Sequence, residues 1–189
     1  MKKIFLAVYV VMMIFGSVSG ANAIPVNIDL TTPMYAYGED TSQAVIEGII
    51  APLMVPSTEL YKAEPVTGAP ALEFGLLAGS YQTSFSPDNE MALIEYVGGP
   101  YVGPIAYLLA KDGSANDQNP ATHGWYLYNL TALGWTGTES IFIDGLWPEQ
   151  GSFSHVTLYG GAGTVVPEPA TILLLGLGLI SIAVVRKKF

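Results

Sequence analysis

The 189-residue sequence contains no cysteine, which removes a disulfide framework, thiolate nucleophiles and cysteine-bearing zinc sites together. Its only two histidines, His123 and His155, could hold a transition metal only with carboxylates to complete the set, and no ligand spacing for that is present. Positive charge is nearly missing from the middle of the chain. Of the seven bases only Lys62 and Lys111 lie between Ile24 and Val166, against 15 acids once Glu168 is set aside, a balance of 2 − 15 = −13. Such a surface repels nucleic acid and anionic lipid and favours cations or neutral partners. No G-x-S-x-G elbow occurs, and the glycine-rich run from Gly160 lacks the G-x-G-x-x-G spacing of a dinucleotide loop. Between Ile24 and Val166 no stretch keeps a 3.6-residue period over a helical length.

What is present there has a period of two. Ile24, Val26, Ile28 and Leu30 alternate with Pro25, Asn27, Asp29 and Thr31, the pattern of a strand with one buried face. The same reasoning predicts strands over 44–50, 72–77, 80–85, 91–97, 105–110, 125–130, 139–143 and 155–159. Turn signals separate them: Ser86-Pro87-Asp88-Asn89, Gly98-Gly99-Pro100, Lys111-Asp112-Gly113-Ser114 and Pro148-Glu149-Gln150-Gly151. Roughly 140 residues suffice for one core and not for two ordinary domains. The fold class expected is all-β, an antiparallel β-sandwich over 24–159 with the jelly-roll as one specific form. Residues 51–70, with Pro52, Pro56, Pro65 and Pro70, read as an irregular excursion or an edge segment, and 160–166 as a flexible linker.

Both ends differ from this middle. Met1-Lys2-Lys3, an apolar core from Ile4 to Phe15 and the small-x-small site Ala21-Asn22-Ala23 make a secretory signal peptide over 1–23. Cleavage after Ala23, with Ala21 at the other small position, leaves Ile24 first. At the other end Pro167-Glu168-Pro169 precedes an uncharged run from Ala170 to Val185 and the basic cluster Arg186-Lys187-Lys188. Its 16 residues rise about 1.5 Å each in a helix, roughly 24 Å in all, so a transmembrane helix over 170–185 just reaches across a bilayer core of about 30 Å. Arg186, Lys187 and Lys188 act as the stop on the cytoplasmic side.

The Pro167-Glu168-Pro169, apolar run and basic end resemble the PEP-CTERM sorting signal of Gram-negative bacteria over residues 167–189. That resemblance implies processing by the intramembrane transpeptidase exosortase, an inner-membrane intermediate, and delivery to the cell surface or extracellular matrix. Segments such as Ser80-Tyr81-Gln82-Thr83, Gly124-Trp125-Tyr126-Leu127, Gly134-Trp135-Thr136-Gly137 and Leu146-Trp147-Pro148 are similar to the exported parts of many PEP-CTERM cargo proteins. This second likeness implies a β-rich exported domain and carries no catalytic residues with it.

Three kinds of chemistry are left to weigh. Ser154 beside His155 is a neighbouring pair whose side chains should point to opposite strand faces, which disfavours a triad. Asp112, Asn116, Asp117 and Asn119 form the densest oxygen-rich stretch, and Asp112 and Asp117 are the candidates for Ca²⁺, although the EF-hand pattern is missing. No other cofactor is expected. Trp125, Tyr126, Tyr128, Trp135 and Trp147 crowd the final third, and exposed rings can stack on sugars. Strand phase and loop position select Tyr126, Tyr128 and Trp135 as the exposed members that would contact carbohydrate. The expectation is an exported, non-enzymatic surface or matrix protein that binds no nucleic acid, with exopolysaccharide as the partner that the family resemblance implies. A carbohydrate-active enzyme on the same fold is the alternative, since such enzymes need two acids across the scissile bond and this chain has many.

Overall fold

The computed structural model describes residues 24–52, 59–113, 123–147 and 151–163. The signal peptide with Ala21 and Ala23, Asp117, and the tail with Pro167, Glu168, Pro169, Arg186, Lys187 and Lys188 lie outside the described residues. In chain order the elements are β1 (Val26–Ile28), β2 (Ala36–Gly38), α1 (Gln43–Ile50), β3 (Glu59–Val66), β4 (Ala69–Phe74), β5 (Tyr81–Phe85), β6 (Ala92–Tyr96), β7 (Tyr101–Asp112), β8 (Trp125–Asn129), β9 (Ile141–Ile143) and β10 (Phe153–Gly163). They build a four-stranded sheet in the order β1-β9-β6-β5 and a six-stranded sheet in the order β2-β8-β7-β10-β3-β4.

The all-β expectation holds, with one correction of direction. β1 runs parallel to β9, Val26 opposite Ile141 and Ile28 opposite Ile143, while the other recorded pairs are antiparallel. These two strands are far apart in sequence, so no hairpin turn fixes their relative direction. In the four-stranded sheet one face is buried and one is wet, as a period of two demands: Tyr81, Thr83, Ala92, Ile94, Ile141 and Ile143 point inward while Gln82, Ser84 and Glu95 stay exposed. All of these but Thr83 share a single core cluster with Tyr61, Leu108, Tyr126, Tyr128 and Leu158 of the six-stranded sheet.

The six-stranded sheet is covered on its second face too. Tyr107, Leu109, Trp125, Leu127 and Tyr159 form a separate cluster with Ile46 and Ile50 of α1. Residues 44–50, expected as a strand, are helical over Gln43–Ile50 although Val45, Ile46, Ile49 and Ile50 are β-branched. Packing decides this: a helix places Ile46 and Ile50 one turn apart on the same side, where both reach the sheet, and leaves Val45 and Ile49 outward. Gln43 Nε2 donates to Glu47 Oε1 at 2.9 Å along the exposed flank.

Two stretches expected as loops are strands. β3 is an interior strand that tolerates Pro65 because the register with β4 shifts between Glu64 and Val66, a bulge where no N–H is required, and Pro70 sits on β4 at the sheet edge. The glycine-rich run from Gly160 does not start a linker but continues β10 to Gly163, with Gly163 opposite Tyr101. Glycine is needed there twice over: its φ is 152°, and a Cβ on Gly160 would stand 2.3 Å from the Ile105 carbonyl oxygen. The Ser86-Pro87-Asp88-Asn89 turn closes the β5–β6 hairpin as expected, with Asn89 at φ 59°.

At one side of the molecule the edges of the two sheets meet, β5 against β4. Glu73 of β4 spans the seam, its Oε1 accepting from the Thr83 N–H at 2.8 Å and from the Tyr61 hydroxyl at 2.9 Å. That carboxylate satisfies a backbone donor which an edge strand would otherwise leave bare. Deeper in, the Tyr81 hydroxyl donates to the Gly137 carbonyl at 2.7 Å and accepts from the Val102 N–H at 2.9 Å, tying β5, β7 and the loop before β9 together.

Candidate functional site

The rings expected at the surface are in the core. Tyr126 and Tyr128 are fully buried and Trp135 is 4% exposed, so none presents a face to a sugar. The cause is the position of β8 inside the six-stranded sheet. Tyr126 and Tyr128 face the shared core while Trp125 and Leu127 face α1, and neither phase of the strand is wet. Trp135 is anchored by its indole N–H, which donates to the Glu139 carbonyl at 2.7 Å. Asp112 ends β7 at 2% exposure and its Oδ1 accepts from the Ser152 N–H at 3.1 Å; its intended companion Asp117 lies outside the described residues. Among the described residues no group of three or more His, Asp or Glu converges as a metal set would.

A different ring occupies the surface. Tyr37 of β2 is 56% exposed and stacks on His123 with centroids 4.0 Å apart and planes 16° from parallel. Glu39, two residues on and largely exposed, is hydrogen-bonded to His123 Nδ1. The far side of the imidazole is held from below. The His123 N–H donates to the Tyr126 hydroxyl at 2.9 Å, the Trp147 indole N–H donates to the His123 carbonyl at 2.7 Å, and the Tyr126 ring meets the imidazole edge-on at 5.6 Å. Gly38 lets this edge lie flat on β8, since a Cβ there would stand 2.8 Å from the Trp125 indole. Tyr37, His123 and Glu39 thus form a supported platform on an edge strand: an apolar ring face beside a carboxylate acceptor. Sequence reasoning missed Tyr37 because three-residue β2 shows no alternation to detect.

Ser154 and His155 also depart from expectation. The register between β10 and β7 shifts between Phe153 and His155, and this bulge brings Ser154 Oγ within 3.3 Å of His155 Nδ1 instead of sending the two side chains apart. No carboxylate among the described residues orients the imidazole. Burial, with Lys62 and Lys111 nearby, drives the His155 pKa down to about 3, which makes it a poor base at neutral pH. Two shallow pockets of about 220 Å³ accompany these features, one over Glu73, Gln82 and Thr83 and one over Glu47, Glu59 and Tyr159. Both are smaller than the roughly 300–1,000 Å³ of ordinary small-molecule clefts.

Residues 165–188 match the family model described as the PEP-CTERM protein-sorting motif. The chain carries a PEP-CTERM sorting motif. No curated protein matches the chain, and no solved structure matches it. As a PEP-CTERM domain-containing protein it is directed through the membrane to the cell surface or extracellular space, with exosortase as the processing partner. Among the described residues of this PEP-CTERM protein no helix is long and apolar enough to cross a membrane, and the segment 170–185 expected to do so lies outside them. The matched motif begins at residue 165, two beyond the end of β10 at Gly163, so the folded domain reaches almost to the sorting signal.

Proposed function

We propose that this chain is a non-enzymatic component of the cell surface or extracellular matrix. It is held at the inner membrane by its tail until exosortase releases it, and afterwards contacts exopolysaccharide through the Tyr37 platform. The sorting motif over 165–188 carries the first half of this reading. The exposed Tyr37 face beside Glu39 supports the second, because an aromatic ring takes the apolar face of a pyranose while a carboxylate accepts from its hydroxyls. A neutral glycan suits the balance of −13 between Ile24 and Val166. The processed protein should be retarded in gels containing its host's exopolysaccharide, and Tyr37→Ala should remove the retardation while shifting stability by no more than about 0.5 kcal/mol. Retardation unchanged in Tyr37→Ala would move the contact elsewhere on the surface.

One observation favours the enzyme alternative. Glu47 and Glu59 line one pocket, and Glu59 titrates above the usual carboxylate range through desolvation, with Glu47 and Glu64 adding to the shift and Lys62 opposing it. An acid with a raised pKa beside a second carboxylate is the arrangement that glycoside hydrolysis uses. Release of reducing ends from the same polysaccharide, abolished by Glu59→Gln, would establish that reading in place of the first.

A further inference from the structure

Only Lys62 and Lys111 carry positive side chains between Ile24 and Val166, and the fold brings both to one strand. On the face of β10 that also carries Tyr159, the side of the sheet on which α1 packs, Lys111 stands opposite His155 across the β7 ladder and Lys62 opposite Thr157 across the β3 ladder. Directly paired residues on one sheet face have Cβ atoms about 5 Å apart, so the two lysines flank this pair of polar side chains from either side. His155 is 3% exposed and Thr157 fully buried, yet His155 Nε2 and Thr157 Oγ1 have no hydrogen-bond partner among the described residues. Buried polar atoms are nearly always paired. Of the three such atoms on β10, Tyr159 Oη lies further along among the α1 cluster, while those of His155 and Thr157 are adjacent between the lysines and mark the place of a missing partner.

We propose that His155 and Thr157, between Lys111 and Lys62, form a binding site for a small oxyanion, a carboxylate or sulfate-like group. The sign of the charge follows from the flanking residues. Lys62 is held by Glu64 at 2.7 Å, whereas no carboxylate among the described residues lies within ion-pair distance of Lys111, which feels Glu64 only at longer range, so its ammonium is the less compensated of the two beside the orphaned atoms. Water could satisfy Nε2 and Oγ1 but would leave that charge alone, and a cation would be repelled. With Ser154 Oγ near Nδ1, the ring can carry its proton on Nε2 and donate it, as can the Thr157 hydroxyl. The acidic remainder of the domain does not forbid this, because charges beyond about 8 Å are largely screened at physiological ionic strength. Lys62 depresses the pKa of Lys111, after burial, and both lysines depress that of His155, as convergent positive charges must. The Trp125 indole nitrogen, also unpartnered on this face, leans over Gly38 toward β2 and takes no part.

This site is separate from the Tyr37 platform, with β8 and β7 between their strands, and stands or falls independently of it. The two histidines make the test internal. In the processed protein, sodium sulfate titrated at constant ionic strength against sodium chloride should shift the imidazole proton resonances of His155 saturably and leave those of His123 in place. Lys111→Gln should weaken the apparent affinity at least tenfold, and Lys62→Gln should weaken it as well, each with an unchanged melting temperature in chloride. Glucuronate in a parallel titration separates the sources: tighter binding than sulfate assigns the site to a saccharide-borne carboxylate, and the reverse to a free inorganic anion. The proposal is overturned if His155 and His123 shift together, if neither shifts, as an ordered water alone would give, or if both glutamine variants bind as the unmodified protein does.

Discussion

His155 illustrates what a single buried imidazole does to acid stability. Its pKa in the fold is about 3 against an ordinary 6.5, lowered first by burial and then by Lys62 and Lys111. Between those values the unfolded chain takes up a proton that the folded chain refuses, so stability is complete above about pH 6.5 and falls as the pH drops toward 3. Between pH 7 and pH 4 the loss attributable to this residue is on the order of 3 kcal/mol. Denaturant midpoints at the two pH values should therefore move less in His155→Gln than in the unmodified protein; equal movement would show that the imidazole is protonated in the fold. Tyr126 offers a residue-scale contrast with Tyr37. Truncation of the buried ring to Ala should cost about 3–5 kcal/mol, read as a lowered denaturant midpoint, where the exposed one costs almost nothing.

At the level of elements, α1 holds its place through two side chains. Ile46→Ala should destabilise by about 2–5 kcal/mol in denaturant melts, and Val45→Ala, on the outward side of the same turn, by no more than about 0.5 kcal/mol. The same helix shows where sequence pattern stops being informative. β5, β6 and β9 were legible because one face of their sheet meets water, so polar and apolar residues alternate along Gln82, Ser84 and Glu95. β7, β8 and β10 are legible as strands, but the faces of β8 are not, since the six-stranded sheet is covered on both sides and both phases of Trp125 to Tyr128 are apolar or aromatic. That single circumstance misplaced Tyr126 and Tyr128. The run Ala44 to Ile50 has the composition of a strand and the fate of a helix because only contact with Leu109 and Tyr107, remote in sequence, decides it. Gly160 read as freedom for want of knowing that the Ile105 carbonyl lies against it.

For the whole molecule the decisive measurement is mass. Protein recovered from its host should begin near Ile24 and lack residues 170–189, and a mass retaining both ends would exclude processing at either. Replacing Arg186, Lys187 and Lys188 by neutral residues should slow that processing, read as accumulation of the longer species on the same spectrum. The manner in which β10 joins the tail has a mechanical side. β10 lies between β7 and β3, and the chain leaves its last residue, Gly163, only two positions before the motif. Tension applied through the tail while the protein is tethered is therefore delivered lengthwise to an interior strand. Its ladder bonds, to β7 from Gly163 inward and to β3 as well from Tyr159, then bear the load in shear, instead of opening one after another as at a peeled edge. A domain hung by such a strand resists being pulled apart through its own C-terminal end.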